Sequence, residues 1–289
     1  MQKIEQNINN RKPYPMNIKH LFFAILFIFF ANQIIFASAQ RGDILIYKQD
    51  TFELFANPLE SHPEIKYLRE GHFGLHEDFK NGYITNCLRG YVAEWTIEDN
   101  QLYLSNIFTS YYPINSEKTD LKQLFGDKCI NGKVKADWLN GTLISPQGNL
   151  IYSVHMTYES FYEKQVAFKF DRGNLIDVIT YDNSKSKIST YNQSENLAKF
   201  IYSNIDWDAL PTFDETILVS VCFSANEAGI IDSTVIKKGR DTTFNNEAIR
   251  VIKSIPQWDI LYKMGVHKRL TICYSIRFNA ENRAKYNPK

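Results

Sequence analysis

The residues whose types could do chemistry fall into three groups. In the run Gly71-His72-Phe73-Gly74-Leu75-His76-Glu77-Asp78, two imidazoles and two carboxylates lie close in sequence, and His155 is a further imidazole. Metal binding would need His72 and His76 on one face. The His-x-x-x-His spacing gives that only on a helix, and Gly71 and Gly74 oppose a helix. Solvated loop histidines and no metal are therefore expected. Asp137-Trp138 and Glu94-Trp95 each set a carboxylate beside an indole, the pairing a glycan-cleaving site would use. Acids on half-buried strands normally face water, so no catalytic residue and no cofactor are expected. The cysteines Cys87, Cys129, Cys222 and Cys273 are spaced too widely for a zinc pattern. Outside the cytoplasm they pair in one of three connectivities, the alternative being buried thiols. No Gly-rich phosphate loop, nucleophile elbow or Cys-His pairing is visible. The reading is of a protein that is not an enzyme.

What positions these residues begins with the targeting signal. Lys19 precedes an apolar run from Leu21 to Ala31 that continues more weakly to Phe36 and ends at Ala37-Ser38-Ala39, a small-residue cleavage pattern. Residues 1–39 read as a signal peptide, with Met16 an alternative start, and Arg41-Gly42-Asp43 as the beginning of a mature, periplasmic chain. The alternative is a retained inner-membrane anchor: residues 21–39, at about 1.5 Å per residue, just span a thin bilayer. Asn32 and Gln33 interrupt it. Contact with the membrane is expected only if that segment is retained. With 33 basic and 32 acidic residues the net charge is +1, so no field favours nucleic acid.

Residues 40–181 read as a β-rich domain. Short runs rich in β-branched and aromatic residues include Asp43–Lys48, Thr51–Phe55, Lys164–Phe170 and Asn174–Tyr181. Residues 89–97 and 101–107 flank Glu98-Asp99-Asn100 as a hairpin. Gly141–Ser145 and Asn149–Val154 read as separate strands around a Pro146-Gln147-Gly148 turn. Thr119 or Asp120 can cap a short helix through Phe125 that Gly126 stops. The polar stretch 182–193 reads as a linker. In 194–289, apolar residues return at helical spacing in Leu197, Phe200 and Ile201. Val219, Val221 and Phe223 alternate with Ser220 and Cys222 in a first strand, and a Gly-containing turn leads to a second. Phe244, Ala248, Val251, Ile252 and Ile255 make one helical stripe, capped at Thr243 and ended by Pro256. A third strand alternates Leu270, Ile272, Tyr274, Ile276 and Phe278 with Thr271, Cys273, Ser275 and Arg277. The fold class is α+β: an antiparallel β-rich domain followed by a small β-β-α-β unit.

Within that unit, Val219-Ser220-Val221-Cys222-Phe223, Gly229 six residues further on, the helix exit Glu247-Ala248-Ile249-Arg250-Val251-Ile252-Lys253-Ser254-Ile255-Pro256-Gln257-Trp258, Gly265 and a closing Ile276-Arg277-Phe278 follow one another. Residues 194 to about 280 thereby resemble the C-terminal domain of TonB, the energy transducer of Gram-negative bacteria. Glu195–Trp207 is similar to that domain's leader helix, and the resemblance implies that Trp258 packs over the end of the sheet. It also implies that the domain lends a strand edge to an extended peptide of an envelope partner, such as an outer-membrane receptor, by β-augmentation. On this chain the edge would be the third strand: Leu270, Thr271, Ile272, Cys273, Tyr274, Ser275, Ile276, Arg277 and Phe278. First and third strands are neighbours in that fold, so Cys222 would pair with Cys273, leaving Cys87 with Cys129. The chain lacks the family's Tyr-Pro before the first strand and its Pro-rich spacer. A periplasmic docking protein is therefore favoured over an anchored transducer for outer-membrane transport, and both over an envelope enzyme acting on glycan or peptide. The Asn57-Pro58-Leu59-Glu60 and Arg89-Gly90-Tyr91 pieces resemble those of exported bacterial proteins without known activity, which implies export alone.

Overall fold

A computed structural model describes residues 40–64, 85–114 and 117–287. The expected signal segment 1–39 and the residues His72, His76, Glu77 and Asp78 lie outside the described residues. The fold is α+β, with a large, mostly antiparallel sheet.

Most of its hairpins close through two-residue turns. β1 (Asp43–Tyr47) and β2 (Asp50–Leu54) join through Lys48-Gln49, and β3 (Tyr91–Glu98) and β4 (Gln101–Thr109) through Asp99-Asn100. After α1 (Leu121–Phe125), β5 (Cys129–Ile130) and β6 (Lys133–Lys135) join through Asn131-Gly132. β7 (Gly141–Tyr152) precedes β8 (Phe161–Asp171), which turns into β9 (Asn174–Asp182) through Arg172-Gly173. At all four two-residue turns both central residues have positive φ, the mirror-image geometry whose twist matches that of the strands. The strand order is β2-β1-β3-β4-β9-β8-β7, with β6 and β5 branching from β4 and β1 running parallel to β3. The two ends of this path meet where the Phe55 N–H donates to the Ile144 carbonyl at 2.7 Å, so the sheet curls round one core. Leu45, Trp95, Leu104 and Phe168, from four strands, are fully buried there.

Asp120 caps α1, its carboxylate accepting from the Lys122 and Gln123 N–H groups, and Gly126 ends it. The turn expected at Pro146-Gln147-Gly148 is not made. β7 is one strand of twelve residues, bulged near Gly148 at φ 75°, and Pro146 is tolerated because β7 lies at the end of the strand order.

A second core follows. α2 (Ser194–Asn204) precedes a sheet ordered β11 (Ile231–Lys238), β10 (Ile217–Ala225), β14 (Ile272–Phe278). α3 (Thr242–Lys253) lies on this sheet, with Phe244, Ala248, Val251 and Ile252 buried against Val219, Val221 and Phe223. Each large apolar side chain so buried stabilises the fold by about 1.5–3 kcal/mol. The cap is Asp241, not Thr243: its carboxylate accepts from the Thr243 and Phe244 N–H groups. Beyond Pro256, the Trp258 ring meets Phe223 edge to face at 4.9 Å, and the Trp258 backbone N–H donates to the Gly229 carbonyl at 2.8 Å. Gly229 has φ 77°, and a Cβ there would stand 2.9 Å from the Trp258 carbonyl oxygen, so only glycine fits.

Two elements were not expected from the sequence: the hairpin β12 (Leu261–Lys263) and β13 (Val266–Lys268), and a terminal helix α4 (Ala280–Tyr286). The hairpin lies against the stretch 182–193. The buried Asn183 donates to the Tyr162 carbonyl and accepts from the Gly265 N–H, and Lys187 exchanges both backbone bonds with Ile260. The expected linker is thus bonded to both cores.

Candidate functional site

The candidate edge is β14. It pairs with β10 in the register Val219↔Ile276, Ser220↔Ser275, Val221↔Tyr274 and Cys222↔Cys273. The Cα atoms of Cys222 and Cys273 are 3.9 Å apart, the close spacing of a non-hydrogen-bonded pair. By alternation Ile272, Tyr274, Ile276 and Phe278 then direct their peptide groups at β10. Cys273, Ser275 and Arg277 direct theirs outward. Arg277 agrees with this: its N–H donates to the Tyr202 hydroxyl at 3.1 Å, and its carbonyl accepts from Asn282 Nδ2 at 2.9 Å.

That capping shortens the expected edge of Leu270–Phe278. α2 brings Tyr202 and α4 brings Asn282 over the Arg277 end, where Tyr286 stacks on Tyr202 with ring centroids 5.5 Å apart. Burial, and then the neighbouring Tyr202 and Tyr286, push the Tyr274 phenol up to about 12, so it stays protonated at neutral pH. Ile276 and Phe278 are wholly inside the second core. Leu270 and Thr271 precede the strand, and Leu270 borders a cleft beside it. Among the described residues, what stays open are the peptide groups of Cys273 and Ser275, enough to seat roughly three to five residues of an added strand.

The face of the sheet away from α3 carries Ser220, Cys222, Cys273 and Ser275. The Ser220 and Ser275 hydroxyls are 2.6 Å apart, and Cys222 is joined to Cys273 by a disulfide. Cys87 and Cys129 do not pair with each other. Both are buried thiols, Cys87 in the turn before β3 with its Sγ 3.2 Å from the Tyr91 carbonyl, Cys129 on the short β5.

The remaining sequence candidates do not converge. Trp95 is in the first core and Glu94 accepts from Ser105 and Asn106, while Asp137 is exposed beside the half-buried Trp138. His155 is exposed, and among the described residues no three His, Cys, Asp or Glu side chains gather as metal ligands.

A polar cluster that the sequence reading left unassigned does form. Asp43 is fully buried and accepts from Arg89 Nη2 at 2.9 Å, Trp95 Nε1 at 3.0 Å and the Ala93 N–H at 3.1 Å. The Tyr158 hydroxyl lies 2.8 Å from both the Arg41 carbonyl and Asn57 Oδ1, and the Tyr91 hydroxyl donates to Glu60 at 2.6 Å. The two short pieces 57–60 and 89–91, which had only suggested export, thus meet in one polar cluster that is buried at Asp43, Arg89 and Tyr91 and reaches the surface at Glu60. It fixes β1 against β3 and anchors the loop bearing Tyr158, and burial pushes the Tyr158 phenol up to about 12.

No protein-family model, no curated protein and no solved structure matches the chain.

Proposed function

We propose that this is an exported, periplasmic protein, not an enzyme, whose C-terminal TonB-like module binds an extended segment of an envelope partner by strand addition along β14. The observation that supports this reading is the open pair of peptide groups at Cys273 and Ser275. They lie on a strand clamped by the core on one side and by a disulfide beside them. An added strand would exchange up to four main-chain hydrogen bonds there, each contributing about 0.5–1.5 kcal/mol net. The affinity of so short an edge must be completed by contacts beyond it.

The test is hydrogen exchange of the full chain with extended envelope peptides. Slowed exchange at Cys273 and Ser275, with Ile276 unchanged, is expected. Protection elsewhere with none at this edge would refute strand addition. The mass of the mature protein from its native envelope separates the two settings. A start at Gln40 means a periplasmic protein, and a retained segment 21–39 means an anchored transducer.

A further inference from the structure

Beside the start of β14 the two cores border a cleft of about 500 Å³. The large sheet and its loops contribute Phe55, Tyr158 and Phe161, with Phe55 and Tyr158 stacked at a centroid distance of 5.5 Å. Tyr158 uses its hydroxyl on Arg41 and Asn57, so its contribution to the lining is the ring. The opposite wall, from β13 and the residues after it, carries Lys268, Arg269 and Leu270.

The charges around this apolar floor are unevenly matched. Lys263 pairs with Glu159, and Arg269 pairs with Asp232. Lys268 is exposed and has no ion-pair partner among the described residues. One positive charge is therefore in excess. Gln165 also lines the cleft and is only 1% exposed. Its Oε1 accepts from the Met264 N–H at 2.8 Å and from Asn183 Nδ2 at 3.2 Å. Its Nε2 is buried with no hydrogen-bond partner among the described residues. Such a donor is costly to leave unmet, and an acceptor entering the cleft that Gln165 lines would satisfy it.

We propose that the cleft is a binding site for a carboxylate carried on an aromatic or branched apolar group, with the apolar body on Phe55, Tyr158 and Phe161 and the carboxylate between Gln165 Nε2 and Lys268. This goes beyond strand addition and does not depend on it. The same chemistry is offered by a free aryl or alkyl carboxylic acid and by a peptide ending in a large apolar residue. Leu270 adjoins both the cleft and the strand, so the peptide form would let one partner occupy both.

Calorimetric titration of the full chain in a mild non-ionic detergent tests this. The probes are 3-phenylpropionate and the peptide acetyl-Thr-Val-Thr-Val-Phe with a free or an amidated C-terminus. The expected result is binding of 3-phenylpropionate, or a preference of about tenfold for the free over the amidated peptide. Lys268→Glu and Gln165→Glu should each weaken that binding by about tenfold or more. Lys268 is exposed, so its variant folds, and Gln165→Glu keeps the acceptor oxygen for Met264 and Asn183. Binding of 3-phenylpropionate identifies a free acid as sufficient, whereas a preference seen only among the peptides means that the carboxylate must arrive with a strand. If the two peptides bind equally and the acid does not bind, strand addition stands and the cleft proposal fails. Acid binding that both variants leave unchanged, or no binding by any probe, also overturns it.

Discussion

Replacing Ser275 with proline separates the two directions in which β14 can bond. Ser275 is assigned an outward N–H, so proline there removes no bond to β10 and deletes one of the open donors. The losses to the fold are the Ser220–Ser275 hydroxyl pair, about 1 kcal/mol, and a modest cost of narrowing φ, for roughly 1–2 kcal/mol together. One residue on, Ile276→Pro deletes a ladder bond to β10 and leaves its acceptor unmet, about 1–3 kcal/mol. It also trims a fully buried side chain, for about 4–5 kcal/mol in all. Against a domain stability of about 5–15 kcal/mol, the first variant stays folded and the second loses most of its margin. Urea unfolding followed by hydrogen exchange over residues 217–225 reads both, with Ser275→Ala correcting for the hydroxyl. Ser275→Pro should keep a protected β10 yet bind no strand at the edge, while Ser275→Ala binds as the parent does. If Ser275→Pro unfolds the second core as fully as Ile276→Pro, the alternation is assigned backwards and the open edge is not at Cys273 and Ser275.

Reduction, or Cys222→Ala with Cys273→Ala, releases a cross-link spanning 51 residues. The chain-entropy relation gives about 4 kcal/mol for such a loop, measurable as a lower urea midpoint with reductant than without. Asp43→Asn leaves the buried Arg89 without its counter-charge and should destabilise the first core by about 3–5 kcal/mol, whereas Asp137→Asn, at an exposed site, should be nearly silent. Burial holds the His62 imidazole below its ordinary 6.5, so the unfolded chain takes up the proton first. The stability held by the neutral ring is whole above 6.5 and is lost as pH falls below it. A urea midpoint that drops between about pH 7 and 5, and a flatter profile for His62→Gln, are expected.

Local structure was legible wherever one residue type settles a backbone choice. Arg172-Gly173 carries its turn by composition, and Asp120 and Gly126 bracket α1, whereas Asn131-Gly132 stands at the head of a run that reads as a strand and instead forms the turn before β6. Pro146-Gln147-Gly148 misled because turn formers also serve as bulge formers on a strand with an open side. Asp241 was passed over for Thr243 because either can cap, and the chosen residue depends on where the chain enters the helix. Alternation along β14 told which side chains are buried, yet it is blind to what lies beside the strand. The cover over Arg277 comes from Tyr202 and from Asn282 on a helix too short and polar to show an apolar stripe. The Asp43 network was invisible for a similar reason. Its members Asp43, Asn57, Glu60, Arg89 and Tyr158 are polar residues scattered over more than a hundred positions, and only the closure of the sheet assembles them.

The Cys222–Cys273 bond also governs extensibility. If the adjoining edge is pulled by a bound strand, tension entering β14 crosses to β10 through a covalent bond before it reaches the intervening chain. That chain, a sequence separation of 51 and about 170 Å when drawn out, cannot be paid out while the bond is intact. Oxidised, the module is a short, stiff tether; reduced, the same sheet becomes a reel.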